Sequence, residues 1–431
     1  MGNTLSVANI QTKLTREQKE AVGLLSIGTF LEFFDLMLYV HMAVLLNDLF
    51  FPKTDQFTSS LLSAFVFCTT FVFRPVGALI FGWIGDNYGR KTSVVITTFL
   101  MAVSCIIMAI TPTYAEIGIT ASLIVTACRI VQGMSSMGEK MGAEIYIFEI
   151  TRPPVRYPAV GSIASFSVVG TMFALIISSI VTSKGFSWRY AFGIGAVIAV
   201  IGFVARSTLK ESVEFSDARK RISLEENSKF KLEIDYYINK EINYKQNALF
   251  LFFVQCAYPV SLYITYIYSA NILKNSFGYS SADVITRNLG IVFAELLSNL
   301  IVLYLSYSIC TLKILRVCLY ITSLAAIFFT IVSKDLTPDK LLVFQLLITM
   351  FSVSTFPATP VFLKYIPILK RFTITSLSYA ISRAAMYIIT SFGIVYFVDK
   401  FNYIGILIVM MPTLIFYHFG LRHFEKLEKV H

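Results

Sequence analysis

Gly82-Trp-Ile-Gly85-Asp86-Asn-Tyr-Gly89-Arg90-Lys91 is a short charged turn set between two long apolar runs, 58–83 and 92–110. Such a turn suits a helical hairpin that crosses a bilayer and reverses in water. Glycines at 82, 85 and 89 permit close helix approach and left-handed backbone. Arg90 and Lys91 mark this end as cytoplasmic, because basic loops are retained inside. Asp86 is placed to face a helix N-terminus or a basic side chain.

The rest of the chain has the composition of a membrane protein. Its 431 residues are 56% hydrophobic and 14% charged, with a mean hydropathy of +0.70. A soluble chain carries roughly 25% charged residues. About twelve runs have the length of a membrane span. Six lie at 21–49, 58–84, 92–111, 116–149, 158–182 and 190–209. Six more lie at 246–270, 283–308, 314–333, 341–365, 374–398 and 403–422. The long polar break between them predicts an all-α membrane protein with about 12 transmembrane helices in two six-helix bundles. The expected parts are a cytoplasmic segment 1–20, a bundle 21–209, a cytoplasmic linker 210–246, a second bundle 247–422 and a short tail 423–431.

A net charge of +10 raises the question of nucleic acid. The distribution argues against it. About 24 loop Lys and Arg fall on the side of the 82–91 turn and about 8 on the other. That bias is a topology signal, and an even span count places both termini in the cytoplasm. Arg219-Lys220-Arg221 reads as a membrane-surface anchor. The six cysteines, at 68, 105, 128, 256, 310 and 318, lack metal or redox spacing and read as small core residues. Residues 1–20 are too polar for a signal peptide.

Charges inside the spans mark the candidate site. Gly28, Glu32, Asp35 and Tyr39 fall on one face of the first helix. An acid at bilayer depth costs about 2.5–3.5 kcal/mol, so two acids on one face need partners or a wet cavity. They are read either as a proton or substrate site or as structural partners of Arg74 or Arg129. His41 reads as a satisfied histidine. Arg74-Pro75 places a permanent cation beside a helix-breaking residue in the second span. In the fourth span, Arg129, Gln132, Gly133, Ser136, Glu139, Lys140 and Glu144 form a polar stripe at three- and four-residue steps. Lys140 and Glu144 are read as an i,i+4 pair. The second half offers Gln255, Tyr258, Glu295 and Asn299, and a stripe of Ser376, Tyr379, Arg383, Tyr387 and Thr390. Arg383 is read as pore-facing, against pairing with Glu295.

Gly82-x-x-x-Asp86-x-x-Gly89-Arg90-Lys91 resembles the loop between helices 2 and 3 of the major facilitator superfamily, with Asn87 where a basic residue is usual. Further pieces resemble its metabolite:proton symporter subfamily, which includes proline/betaine, citrate, oxoglutarate and shikimate carriers. They are Glu32-Phe-Phe-Asp35, Phe73-Arg74-Pro75-Val-Gly77, Gln132-Gly133 to Gly138-Glu139, and Gly142-Ala143 to Glu149. Trp188-Arg189-Tyr-Ala-Phe192 and Leu209-Lys-Glu211-Ser-Val-Glu214-Phe215 continue the match to about residue 215. Met137 and Lys140 depart from the small and aromatic residues usual there. The second half lacks a copy of the loop; Cys310 to Arg316 keeps only Lys313 and Arg316.

The resemblance implies alternating access in the cytoplasmic (inner) membrane, driven by a proton gradient and needing no other cofactor. The expected cargo is a small zwitterion such as proline or betaine together with H+, carried by a monomer embedded in lipid. It implies proton coupling at Asp35 or Glu32 and substrate contacts from Arg74, Arg129, Gln132, Glu139, Arg383 and Tyr258. It also implies a latch of Gly82, Asp86, Gly89, Arg90 and Glu149, with Asp86 holding the start of helix 11 around Thr373 to Ser376. A carboxylate symporter is the nearest alternative, and a non-transporting membrane sensor is one of another class. No nucleophile–base pair supports an enzyme. The tail after the last span is too short for the coiled coil of osmosensing carriers.

Overall fold

The computed structural model describes residues 10–52, 70–184, 187–212, 214–217, 219–220 and 243–430. The start of the expected second span and most of the expected linker lie outside these residues. The first half contains α1 (Arg16–Phe50), α2 (Arg74–Asn87), α3 (Arg90–Ile110), α4, α5 (Arg156–Lys184) and α6 (Trp188–Ser207). Helix α4 runs Ile119–Ser136, then a π turn Met137–Met141, then Gly142–Ile150. The second half contains α7, α8 (Ser281–Ser306), α9 (Thr311–Val332), α10, α11 (Ile368–Phe401) and α12 (Ile404–Val430). Helix α7 runs Tyr244–Leu262, a π turn Tyr263–Tyr268 and Ser269–Phe277, while α10 is split into Pro338–Met350 and Thr359–Lys364.

Among the described residues, nine helices are long and apolar enough to cross a membrane. The exceptions have separate causes. Helix α2 is described for only 14 residues. Helix α4 carries the polar stripe. Helix α10 breaks between Met350 and Thr359, a segment that holds Pro357. The last span also differs from expectation. Residues 423–430 are not a tail but the final turns of α12. They are tied down by His423 Nε2 to Asn247 Oδ1 at 2.8 Å, by Arg316 with Glu425, and by Lys364 Nζ to Glu428 at 3.0 Å.

In the first half α1 packs on α5 and α6, and α3 on α4 and α6; in the second, α7 packs on α11 and α12, and α9 on α10 and α12. Two helix pairs make the most extensive contacts between the halves, α2 with α11 and α5 with α8. The α2–α11 contact explains two glycines. A Cβ on Gly82 would lie 2.7 Å from the Thr373 Cα, and one on Gly85 would lie 2.5 Å from the Phe372 ring. Between these two seams the halves enclose a central space.

Candidate functional site

The polar face of α1 meets its partners as the spacing predicts. Arg74 Nη2 donates to Glu32 Oε1 at 3.4 Å. Asp35 is held more firmly: Arg129 Nη1 donates to Oδ2 at 2.7 Å and Gln132 Nε2 to Oδ1 at 3.0 Å. The Arg129 guanidinium also stands 4.3 Å from the Tyr39 ring centre. These groups are dry, with Glu32, Asp35, Arg74 and Arg129 at 2%, 4%, 2% and 1% exposure. A third pair, Glu139 with Arg206, is wholly buried beside Gly28. Arg206 also donates to Thr98 Oγ1 at 2.7 Å and to the Leu25 carbonyl at 2.5 Å.

The expected substrate contacts fall into two groups. Arg74, Arg129, Gln132 and Glu139 form pairs inside the first half and do not line the central cavity. Within α4 a π turn at Met137–Met141 adds a residue per turn and rotates the following segment about the helix axis. Lys140 and Glu144 line the cavity, whereas Arg129, Gln132 and Glu139 pair away from it. The Lys140–Glu144 pair does not form: no salt bridge within 4.0 Å joins them.

The cavity between the halves holds about 60 Å³. Phe33, Lys140 and Glu144 reach it from the first half, and Tyr258, Tyr266, Glu295, Asn299 and Arg383 from the second. Tyr258 and Arg383 thus lie where expected. The expected alternative for Arg383 is absent, since Glu295 accepts instead from the Tyr266 hydroxyl at 2.8 Å. Arg383 Nη1 donates to the Gln255 carbonyl at 3.0 Å.

A second cluster closes one end of the molecule, at the 82–91 turn. Asp86 accepts from the amides of Phe372 at 3.1 Å and Thr373 at 2.9 Å, in the first turns of α11. Arg90 Nη2 donates to Glu149 Oε1 at 2.9 Å and to the Ile368 carbonyl at 2.6 Å. One guanidinium therefore bridges α4 and α11. Gly89 has φ +113°, a backbone that excludes most side chains, and a Cβ there would overlap the Glu211 carboxylate.

Sequence reading missed several members of this cluster. Arg371 Nη1 donates to Glu149 Oε1 at 3.0 Å and to Glu214 Oε1 at 3.2 Å. Ser212 Oγ donates to Glu149 Oε2 at 2.6 Å. Glu211 accepts from the Arg90 amide at 2.9 Å and the Lys91 amide at 3.2 Å, capping α3. Burial pushes the Glu211 carboxyl above its ordinary range, against the pull of the Ser212, Arg90 and Lys91 amides. The motif leaving helix 6 was legible, but not its destination under the start of α11.

Residues 25–367 match the sequence profile of the Major Facilitator Superfamily. The chain belongs to this superfamily. It is 34% identical to the proline/betaine transporter of Salmonella typhimurium over 205 residues, covering 46% of this chain and 41% of that one. It is 30% identical to the Escherichia coli proline/betaine transporter over 292 residues, covering 64% and 58%. The E. coli inner membrane metabolite transport protein YhjE is 34% identical over 226 residues, covering 50% and 51%. The chain thus spans about half the length of these curated relatives. Among solved structures, the proton:xylose symporter XylE superposes with a TM-score of 0.78 at 14% identity, over 94% of this chain and 95% of that one. The human organic anion transporter MFSD10 gives 0.70 at 14%, over 95% and 100%. At such identity the likeness is one of fold. Membership places the chain among membrane transport proteins rather than enzymes.

Proposed function

We propose that the protein takes up a small zwitterion of the proline/betaine kind together with a proton, by alternating access. The carrying observation is a mid-molecule cavity lined by two cations, Lys140 and Arg383, and two carboxylic acids, Glu144 and Glu295. A zwitterion offers one charge to each kind of group, and the curated relatives named for proline and betaine support that class. The two helix sets work as rocking bodies, 21–209 and 247–422, joined by the linker 210–246. Each chain contains a whole cavity, so a monomer suffices. The protein sits in the bacterial inner membrane with both termini in the cytoplasm, as the basic loops require.

Protonation acts at Glu32 or Asp35. Glu32 holds Arg74 by one long contact and leaves Oε2 without a partner, so a proton there displaces little. A proton on Asp35 releases both Arg129 and Gln132. Either event loosens α1 from α2 or α4 next to the cavity. The cluster around Arg90 is the cytoplasmic gate, closed here, which opens when α11 leaves Asp86.

The test is radiolabelled uptake into sealed vesicles, with glycine betaine, L-proline and citrate run in parallel, with and without an uncoupler. Gradient-dependent accumulation of a zwitterion is expected, and Asp35→Asn and Arg74→Ala should each abolish it without removing the protein from the membrane. Accumulation that ignores the uncoupler rules out symport. Citrate alone favours the carboxylate reading, and binding without accumulation favours a sensor.

A further inference from the structure

Lys140 lies in the cavity wall. Among the described residues, its ammonium has no carboxylate within 4.0 Å and no hydrogen bond. Its contacts are rings: Nζ stands 5.0 Å from the Tyr379 ring centre and 5.5 Å from that of Phe33. Arg383 approaches the same tyrosine, its guanidinium carbon 4.2 Å from the ring centre. It too has no carboxylate within 4.0 Å among the described residues. The nearby acids are otherwise placed. Glu32 is paired with Arg74, Glu295 accepts from Tyr266, and Glu144 lines the cavity without a salt bridge to either cation.

Two cations from opposite halves, α4 and α11, thus converge on one ring, and among the described residues neither has a carboxylate within 4.0 Å. Arg383 is buried and Lys140 half-buried, and neighbouring charges of like sign repel until an anion joins them. We propose that Lys140 and Arg383 form a two-cation clamp for the substrate carboxylate, with Tyr379 as its shared backing. Lys140 is then the specificity determinant that admits carboxylated substrates and rejects analogues lacking that group. The inference rests on the cavity being the substrate site.

The experiment uses the full chain in vesicles and in detergent. Glycine betaine is compared with choline, which keeps the trimethylammonium and replaces the carboxylate by a hydroxymethyl group. In the unaltered protein betaine should be taken up and should raise the melting temperature, and choline should do neither. Lys140→Ala should raise the betaine KM by about tenfold or more, as loss of a charge-assisted contact implies, with maximal rate changed by less than about twofold. Lys140→Arg should restore most of the affinity, which a merely structural role would not allow, and Lys140→Met serves if the alanine variant fails to fold. An unchanged betaine KM and melting shift in Lys140→Ala or Lys140→Met, with uptake still gradient-driven, overturns the clamp and leaves symport standing. A Lys140-dependent KM for uptake that ignores the uncoupler supports the clamp and removes symport. Failure of betaine, L-proline and citrate all to bind the unaltered protein overturns both.

Discussion

Arg206 and Glu139 have the clearest energetic consequence at the scale of single residues. Both side chains are fully buried, and Arg206 is also bonded to Thr98 and to α1 carbonyls. Removing one partner of such a pair strands the other charge, at a cost of about 3–5 kcal/mol. Glu139→Gln should therefore lower the melting temperature of the purified protein sharply, and Glu139→Gln with Arg206→Met should recover part of the loss. Equal melting of Glu139→Gln and the unaltered protein would remove this role. Gly28→Ala should act at the same place, because its Cβ would overlap both charged side chains. The sequence showed that Gly28 shares a face with Glu32 and Asp35. It did not show Arg206 as a partner, since an arginine in the last turn of a span looks like a positive-inside loop residue.

At the scale of helices, register decides which residues reach the cavity. Fixed steps of three and four assign Arg129 through Glu144 to one stripe, but the helix changes its winding at Met137–Met141, and of that stripe only Lys140 and Glu144 line the cavity. Local composition does not announce such a turn. The α2–α11 seam, by contrast, was legible as glycine spacing, with its partner implied by the family resemblance. Gly85→Leu should wedge Phe372 away, weaken the bonds from Asp86 to α11, and increase labelling of a cysteine placed on the cytoplasmic end of α11. Labelling equal to that of the same cysteine in the unaltered background would count against the seam. The Glu211 cap on α3 should be worth about 0.5–2 kcal/mol, read as the melting loss of Glu211→Ala.

At the scale of the whole molecule, Glu149 gathers donors from both halves, Arg90 and Ser212 from one and Arg371 from the other. Under the proposed alternating access, a contact cluster of this kind sets how often the halves exchange positions more than how tightly cargo binds. Arg90→Ala should therefore lower the maximal uptake rate several-fold while moving KM by less than about twofold. A rate equal to that of the unaltered protein removes the gate assignment. A double-mutant cycle of Arg90→Ala and Arg371→Ala should be non-additive, because the two guanidiniums share one carboxylate oxygen.

Hydropathy and loop charge were enough to determine a helical membrane protein, because lipid demands long apolar helices and retains basic loops on one side; the superfamily came from the resemblance carried by the 82–91 turn. The one-sided face of α1 and the glycine spacing of α2 were equally readable, as both repeat along a single helix. The partner of each charge was decided only in three dimensions. Arg129 meets Asp35, Arg206 meets Glu139, and Lys140 and Arg383 meet neither acid of the cavity. Such choices depend on how helices far apart in the chain are rotated against one another, and helical periodicity carries no record of that rotation.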